Sequence, residues 1–313
     1  MKLIVQVPCL NEELTLAAVL TSIPTKIPGI TSIEVVVIDD GCSDRTVEIA
    51  RAHGVQHIIR HARTMGLARS FKDGIDYALA RGADIVVNTD GDNQYPQERI
   101  SDLVAPIVDG LADIVIADRQ TATVAHFSPL KRRVQRIGSA VVSRAAETRL
   151  PDAASGFRAY SAHSLIHLNI ITQFSYTMET IIQAGNKRLR IASLPIATNP
   201  KTRESRLFRS PWQHVRRSAY AIMRSYIMFK PHVFFGVIGA LMFGAAALPI
   251  VRFLTFFARG EGDGHVQSLI LGSALLVGSL LAFALLVIAD LQRTNRILLE
   301  DGLERIKRMQ YDR

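Results

Sequence analysis

Short apolar runs alternate with stretches of helical spacing through residues 3–196. Leu3–Val7, Ile33–Ile38, His57–Ile59, Ile85–Asn88 and Ile114–Ala117 read as buried strands. Between them, Glu12–Ser22, Ser43–Ala52, Gly66–Ala80 and Gln97–Val108 carry the 3.6-residue repeat of helices that cover one face. Ser43 is placed to cap the second helix, and Pro96 suits the start of the fourth. A further helix is expected over Pro129–Glu147 and another over Tyr176–Ala184, before a strand at Leu189–Ile196. Such alternation predicts an α/β fold with a mostly parallel sheet and helices on both faces.

Beyond residue 231 the pattern changes. His232–Val251 and Val266–Ala289 are apolar runs without a formal charge. About 20 apolar helical residues cross a hydrocarbon core. Neither run keeps the polar stripe of a globular surface helix. Two transmembrane helices are therefore expected over 232–289. Gly236, Gly239, Gly244 and Gly272 allow close helix packing, and with it a homo-oligomer.

Composition sharpens this division. The chain of 313 residues is 48% hydrophobic, which excludes a disordered protein. Its net charge of +9 lies largely in one place. Residues 201–230 hold eight Lys or Arg against the single acid Glu204. That block borders the first apolar run and mixes its charges with Trp212, Tyr220 and Tyr226. A basic interfacial helix over 211–231 is the reading, with lipid headgroups rather than nucleic acid as the polyanion. The positive-inside rule places residues 1–231 and the 290–313 tail in the cytoplasm, in a multi-pass protein of the inner membrane. Cys9 and Cys42 lack partners at zinc-ligand spacing.

In open α/β sheets, ligands bind at the carboxyl ends of the strands. Acidic clusters stand at three of those ends here: Asn11-Glu12-Glu13 after Pro8, Asp39-Asp40, and Asp90-Gly91-Asp92-Asn93-Gln94. Residues two apart in extended chain point the same way, so Asp90 and Asp92 can reach one hard divalent cation, with Gln94 in register. Asp39 and Asp40 can accept hydrogen bonds from a nucleotide, or compensate the N-terminus of the following helix. Dinucleotide and phosphate-loop glycine signatures are missing.

These segments, PCLNEE, VVVIDDGCSDRT, GLARSFKDGIDYA and NTDGDNQYP, resemble the glycosyltransferase family 2 catalytic domain, of the GT-A fold. ADR at 117–119, SPLKRR at 128–133, DAASGFRAY at 152–160, METIIQAG at 178–185 and RESR at 203–206 look like the branch that glycosylates polyprenyl phosphates, dolichol-phosphate mannosyltransferase and its bacterial relatives. The resemblance covers residues 3 to about 210, so 1–210 is expected to be the catalytic domain. It implies a nucleotide-sugar donor lined by Pro8, Asn11, Glu12, Asp39, Asp40, Asp90 and Gly91. It implies Mg2+ or Mn2+ held by Asp90, Asp92 and Gln94. Arg119, Arg132, Arg203 and Ser205 would serve the phosphate of a polyprenyl acceptor.

An anionic lipid phosphate needs positioning and no general base, and Arg forks suit it. Were the acceptor a glycan or lipopolysaccharide hydroxyl, a base would be required, with Asp152 or Glu179 as candidates. A membrane scaffold that kept the fold without catalysis is the remaining alternative. None of the histidines at 53, 57, 61, 126, 163, 167 and 214 shows a ligand-like grouping.

Overall fold

Strands buried on both faces need near-continuous apolar sequence, and the central strands have it. β1 (Lys2–Cys9) pairs in parallel with β2 (Ser32–Asp39) on one side and with β4 (Ile85–Asn88) on the other. β3 (His57–Arg60) extends the sheet beyond β2. On the far side, β6 (Arg158–Ser161) runs antiparallel between β4 and β5 (Ile114–Asp118), and β7 (Ile191–Pro195) closes the edge parallel to β5. The order is β3-β2-β1-β4-β6-β5-β7. This computed structural model describes residues 1–120, 139–140, 142–144, 146, 148, 151–171, 176–200, 220, 223, 227 and 230–311. Most of the expected helix at 129–147 and of the basic helix at 211–231 lies outside those residues.

Crossover helices cover the sheet: α1 (Leu16–Ser22), α2 (Thr46–Ala52), α3 (Leu67–Ala80) and α4 (Ile100–Val108). α5 (Ala162–His167) and α6 (Tyr176–Asn186) follow β6. The core joins strand residues such as Val5, Val37 and Val87 to Leu16, Leu103 and Phe157. The chain winds outward from β1 to β3 and then returns to place β4 on the other side of β1. That reversal opens a crevice at the strand ends, where ligands of such sheets sit.

Two details depart from the sequence reading. Ser43 does not cap α2. Its amide donates to Asn11 Oδ1, and Asp44 Oδ1 accepts the Thr46 amide at the helix start. β6 and α5 also appear where no element was expected. Ser161 caps α5 by accepting the Ser164 amide at 3.1 Å.

The described residues divide into two compact units, Met1–Ile222 with Leu303–Arg313, and Met223–Gly302. Within the second, α7 (Pro231–Ala258) and the apolar part of α8 (Val266–Gln310) form a hairpin, and both helices are long and apolar enough to cross a membrane. Ser279 Oγ donates to Gly239 O across it at 2.9 Å. A Cβ at Gly239 would meet Phe283, and one at Gly272 would meet Ile250, so these glycines serve the hairpin itself. α8 continues past Ala289 to Gln310, and its end belongs to the first unit. There Lys307 Nζ donates to Leu168 O at 2.6 Å, and Glu304 pairs with His167 at 2.9 Å.

Candidate active site

The β1 and β2 ends are stitched together by side chains. Asn11, at φ 57°, adopts the left-handed backbone that asparagine tolerates, and its Oδ1 accepts the Ser43 amide at 2.8 Å. The Glu12 amide donates to Thr46 Oγ1 at 2.8 Å, and its carboxylate accepts from Thr15 Oγ1. Pro8 pairs with Ile38 near the ends of both strands. Asp39 is buried. Its Oδ1 accepts the Cys42 amide at 2.7 Å and its Oδ2 accepts Arg60 Nε at 3.1 Å. Burial alone would raise this carboxyl, but those two donors hold it below its usual value.

Asp40 does something different. Its oxygens accept the amides of Met65 and Gly66 at 2.7 and 2.9 Å, so it organises the segment leading into α3 rather than the helix after Ser43. Asp39, Gly41, Cys42 and Arg60, with His61, Ala62 and Arg63 from the start of that segment, line a cavity of about 460 Å3.

The Asp90-Gly91-Asp92 turn follows β4 and rests on a buried polar network. Asn88 Nδ2 donates to Gly156 O and Tyr176 Oη, while Asn88 Oδ1 accepts from Gln6 Nε2 on β1. Tyr95 Oη accepts the Gly156 amide at 3.2 Å. A Cβ at Gly156 would stand 3.1 Å from Asp90 Oδ2, so only glycine leaves that carboxylate its room. Gly91 is similarly confined, with Cys9 Sγ 3.0 Å from where its Cβ would lie. Asp92 Oδ1 accepts the Gln94 amide, and Gln94 O accepts the Asn199 amide at 2.9 Å.

A divalent metal fits this donor set. Hard carboxylate oxygens suit Mg2+ or Mn2+, which take their remaining ligands from phosphates and water. Among the described residues no group of three or more His, Cys, Asp or Glu is placed to cage a metal. Burial pushes the Cys9 thiol well up and Cys42 up to about 11, so neither supplies a thiolate.

Arg119 follows β5, and Asp152 meets it with both oxygens: Nε to Oδ2 at 2.6 Å and Nη2 to Oδ1 at 3.0 Å. The Asp152 side chain is 0% exposed and that of Arg119 is 20%. Burial would raise the Asp152 carboxyl, but the Arg119 charge and its bonds outweigh burial and hold it low. A carboxylate so held is a poor proton acceptor, which counts against Asp152 as a base. Glu179 is buried on α6 and accepts the Ile171 amide at 3.2 Å. Arg132, Arg203 and Ser205 lie outside the described residues.

Three residues not singled out from sequence matter here. Arg158 is fully buried, and its guanidinium donates to the carbonyls of Ala153, Ser155 and Thr177 and to Thr180 Oγ1. It thereby ties the 152–156 loop, which carries Asp152 and Gly156, to α6. Tyr95 supports the same loop. His61, among the histidines read as ungrouped, bridges two carboxylates. Arg158 left no signal beyond its place in the DAASGFRAY segment, and His61 left none, because its partners are distant in the chain.

The family model for glycosyl transferase family 2 matches residues 4–168, more than half of the chain. The chain belongs to glycosyl transferase family 2. This family 2 enzyme is 31% identical over 202 residues to a dolichyl-phosphate hexose transferase of Haloferax volcanii, covering 63% of this chain and 82% of the relative. It is 25% identical over 206 residues to an undecaprenyl-phosphate mannosyltransferase of Micrococcus luteus, covering 63% and 83%. Among solved structures, glucosyl-3-phosphoglycerate synthase from Mycobacterium tuberculosis, in complex with Mn2+, UDP-glucose and phosphoglyceric acid, matches with a TM-score of 0.56 at 20% identity, over 72% of this chain and 78% of the synthase. The glycosyltransferase described here thus has the GT-A fold, as its motifs implied.

Proposed function

We propose that this glycosyltransferase moves a sugar from a nucleoside-diphosphate donor to a polyprenyl phosphate at the cytoplasmic membrane face. The observation that carries the reading is an arginine fixed by a buried carboxylate, Arg119 on Asp152, within electrostatic reach of Asp90. One side of the crevice suits a cation and its diphosphate, and the other suits a second phosphate. Relatives named for dolichyl-phosphate and undecaprenyl-phosphate transfer support the lipid acceptor. The hairpin of α7 and α8 supports an enzyme that works where such a lipid lies.

Pro8, Asn11, Glu12 and Asp39 line the donor side, with Asp40 supporting the loop behind it. A divalent ion held by Asp90, Asp92 and Gln94 would offset the charge that grows on the departing diphosphate. The acceptor phosphate oxygen forms the new bond to the anomeric carbon as the bond to the diphosphate breaks, which inverts that carbon. The nucleophile is already anionic, so no proton need be removed. Arg119 orients it: the Asp152 contact fixes one edge of the guanidinium, and phosphate takes donors from the rest. Arg132, Arg203 and Ser205 are proposed to complete the acceptor phosphate site. A hydroxyl acceptor is the weaker reading, since Asp152 and Glu179 are both engaged elsewhere.

The test is transfer of labelled sugar from a panel of UDP- and GDP-sugars to undecaprenyl phosphate, with Mg2+ or Mn2+ and with EDTA. Chloroform-extractable product that disappears with EDTA is expected. Product formed only on water-soluble glycans would overturn the acceptor assignment.

A further inference from the structure

The cavity beside Asp39 is walled by His61, Ala62 and Arg63, the first half of the segment 61–66 that joins β3 to α3. The segment leans on Gly41, whose φ is +82° and whose Cβ would lie 2.9 Å from Arg63 C and Thr64 N. At its far end the Met65 and Gly66 amides are bound by Asp40. At its near end stands His61, with its amide donating to Asp39 O at 2.9 Å. The ring then spans two elements. Nδ1 lies 2.8 Å from Asp40 Oδ1, and Nε2 lies 3.0 Å from Asp73 Oδ2 on α3.

The His61 side chain is only 9% exposed. Each ring nitrogen thus faces a carboxylate oxygen, one on either side of the imidazole. The imidazole therefore joins the end of β2 to α3 across the base of the cavity wall. Arg69 shares the Asp73 oxygen at 2.7 Å, while Arg60 reaches the neighbouring Asp39. Asp40 thus receives both ends of the segment: the ring of its first residue and the amides of its last two. Freed from the ring, Asp40 would still hold Met65 and Gly66, but residues 61–63 would keep only the His61 amide bond to Asp39 O and lose their side-chain tie to Asp40 and α3.

We propose that His61 is a positioning residue for the donor. Its bridge between Asp40 and Asp73 sets the cavity wall against which the nucleotide's base and ribose pack. The proposal rests on the nucleotide-sugar reading above and names a residue of that same site. Because the wall contacts the part of the donor that does not react, its loss weakens ground-state and transition-state binding alike. Uniform binding of this kind appears in KM and leaves kcat in place.

The experiment uses the full-length enzyme in detergent, with UDP and GDP as binding probes and donor kinetics as the second readout. One charge-assisted hydrogen bond corresponds to about ten- to hundredfold in affinity, so His61→Ala is expected to weaken binding of the preferred nucleotide and raise donor KM by that order, with kcat nearly unchanged. His61→Asn places an amide N–H where Nδ1 stood and is expected to recover most of the affinity. His61→Gln places it near Nε2, restores only the Asp73 contact, and is expected to recover less. Melting temperatures of all three separate a folding defect from a binding defect. Unchanged nucleotide affinity in His61→Ala, or a loss confined to kcat or to melting temperature, overturns the positioning role. Equal recovery by Asn and Gln overturns the part assigned to Asp40. If the unmutated enzyme binds neither UDP nor GDP, the donor reading falls and takes this proposal with it.

Discussion

Replacing Asp152 with asparagine separates two roles that the residue types alone allow. Asparagine keeps the shape but removes the charge, and its amide meets the Arg119 donors where a carboxylate oxygen stood. Two unit charges about 4 Å apart interact by about 4 kcal/mol at an effective dielectric of about 20. Removing one partner of a buried pair costs about 3–5 kcal/mol. Arg119 keeps 20% of its side-chain surface, so water recovers part of that loss. We expect Asp152→Asn to destabilise the protein by about 2–4 kcal/mol near neutral pH. The assay is denaturant unfolding of the detergent-solubilised enzyme alongside acceptor kinetics. The Asp152 carboxyl is depressed in the folded state, so its contribution is present above the unfolded value and lost as pH falls through the folded one. The gap between the two proteins should therefore be level around neutrality and narrow below about pH 4. Acceptor KM should rise as Arg119 loses its orientation. A loss of about 10²–10⁴-fold in kcat, with stability and acceptor KM untouched, would mark Asp152 as a general base instead and refute this reasoning.

Asp92→Asn is expected to cut metal-stimulated transfer by about 10²-fold or more while the melting temperature holds; intact metal-dependent transfer would remove Asp92 from the metal site. Gly156→Ala should press on the Asp90 carboxylate and raise the metal concentration needed for half-maximal rate, read by titrating Mn2+ into a stripped enzyme. Burial lowers Lys307 to about 8 from 10.5, so the unfolded chain binds the extra proton between those values. Relative to Lys307→Met, the unmutated enzyme should thus gain stability as pH climbs through that window, measured by unfolding at each pH. Ser279→Ala removes the hydrogen bond to Gly239 O and should cost about 0.6 kcal/mol in the hairpin, followed by unfolding in mixed micelles.

The strands of the sheet's central half were legible because burial on both faces leaves a plain apolar run, as in LIVQV and IVVN. β6 was not, because its sequence RAYS opens with the fully buried Arg158. A charged residue satisfied by four neutral oxygens looks, in sequence, like a surface position. The acidic strand ends were legible from their placement, and Asp39 with the Asp90–Asp92 turn stand at the crevice where that placement pointed. What each carboxylate does was not legible, since pairing is a matter of three dimensions. Asp152 meets Arg119 across 33 residues, and His61 meets Asp40 across 21. Ser43 matched the residue type of a helix cap, yet the competing Asp44 lay one step closer to the Thr46 amide it binds.

The body that carries the crevice is assembled from two lengths of chain, Met1–Ile222 and Leu303–Arg313, with the apolar excursion between them. An excursion that leaves and rejoins one folded body begins and ends on the same side of any barrier it enters. Any crossings of a membrane by it would therefore be even in number, whatever the distribution of lysine and arginine along it. Parity is imposed by the fold: an odd crossing would tear Glu304 from His167 and Lys307 from the end of α5. The same parity bears on cutting the gene. A chain stopped before the first apolar helix is short by the closing stretch, and leaves the carbonyls of Ile166 and Leu168 without the ammonium that caps them.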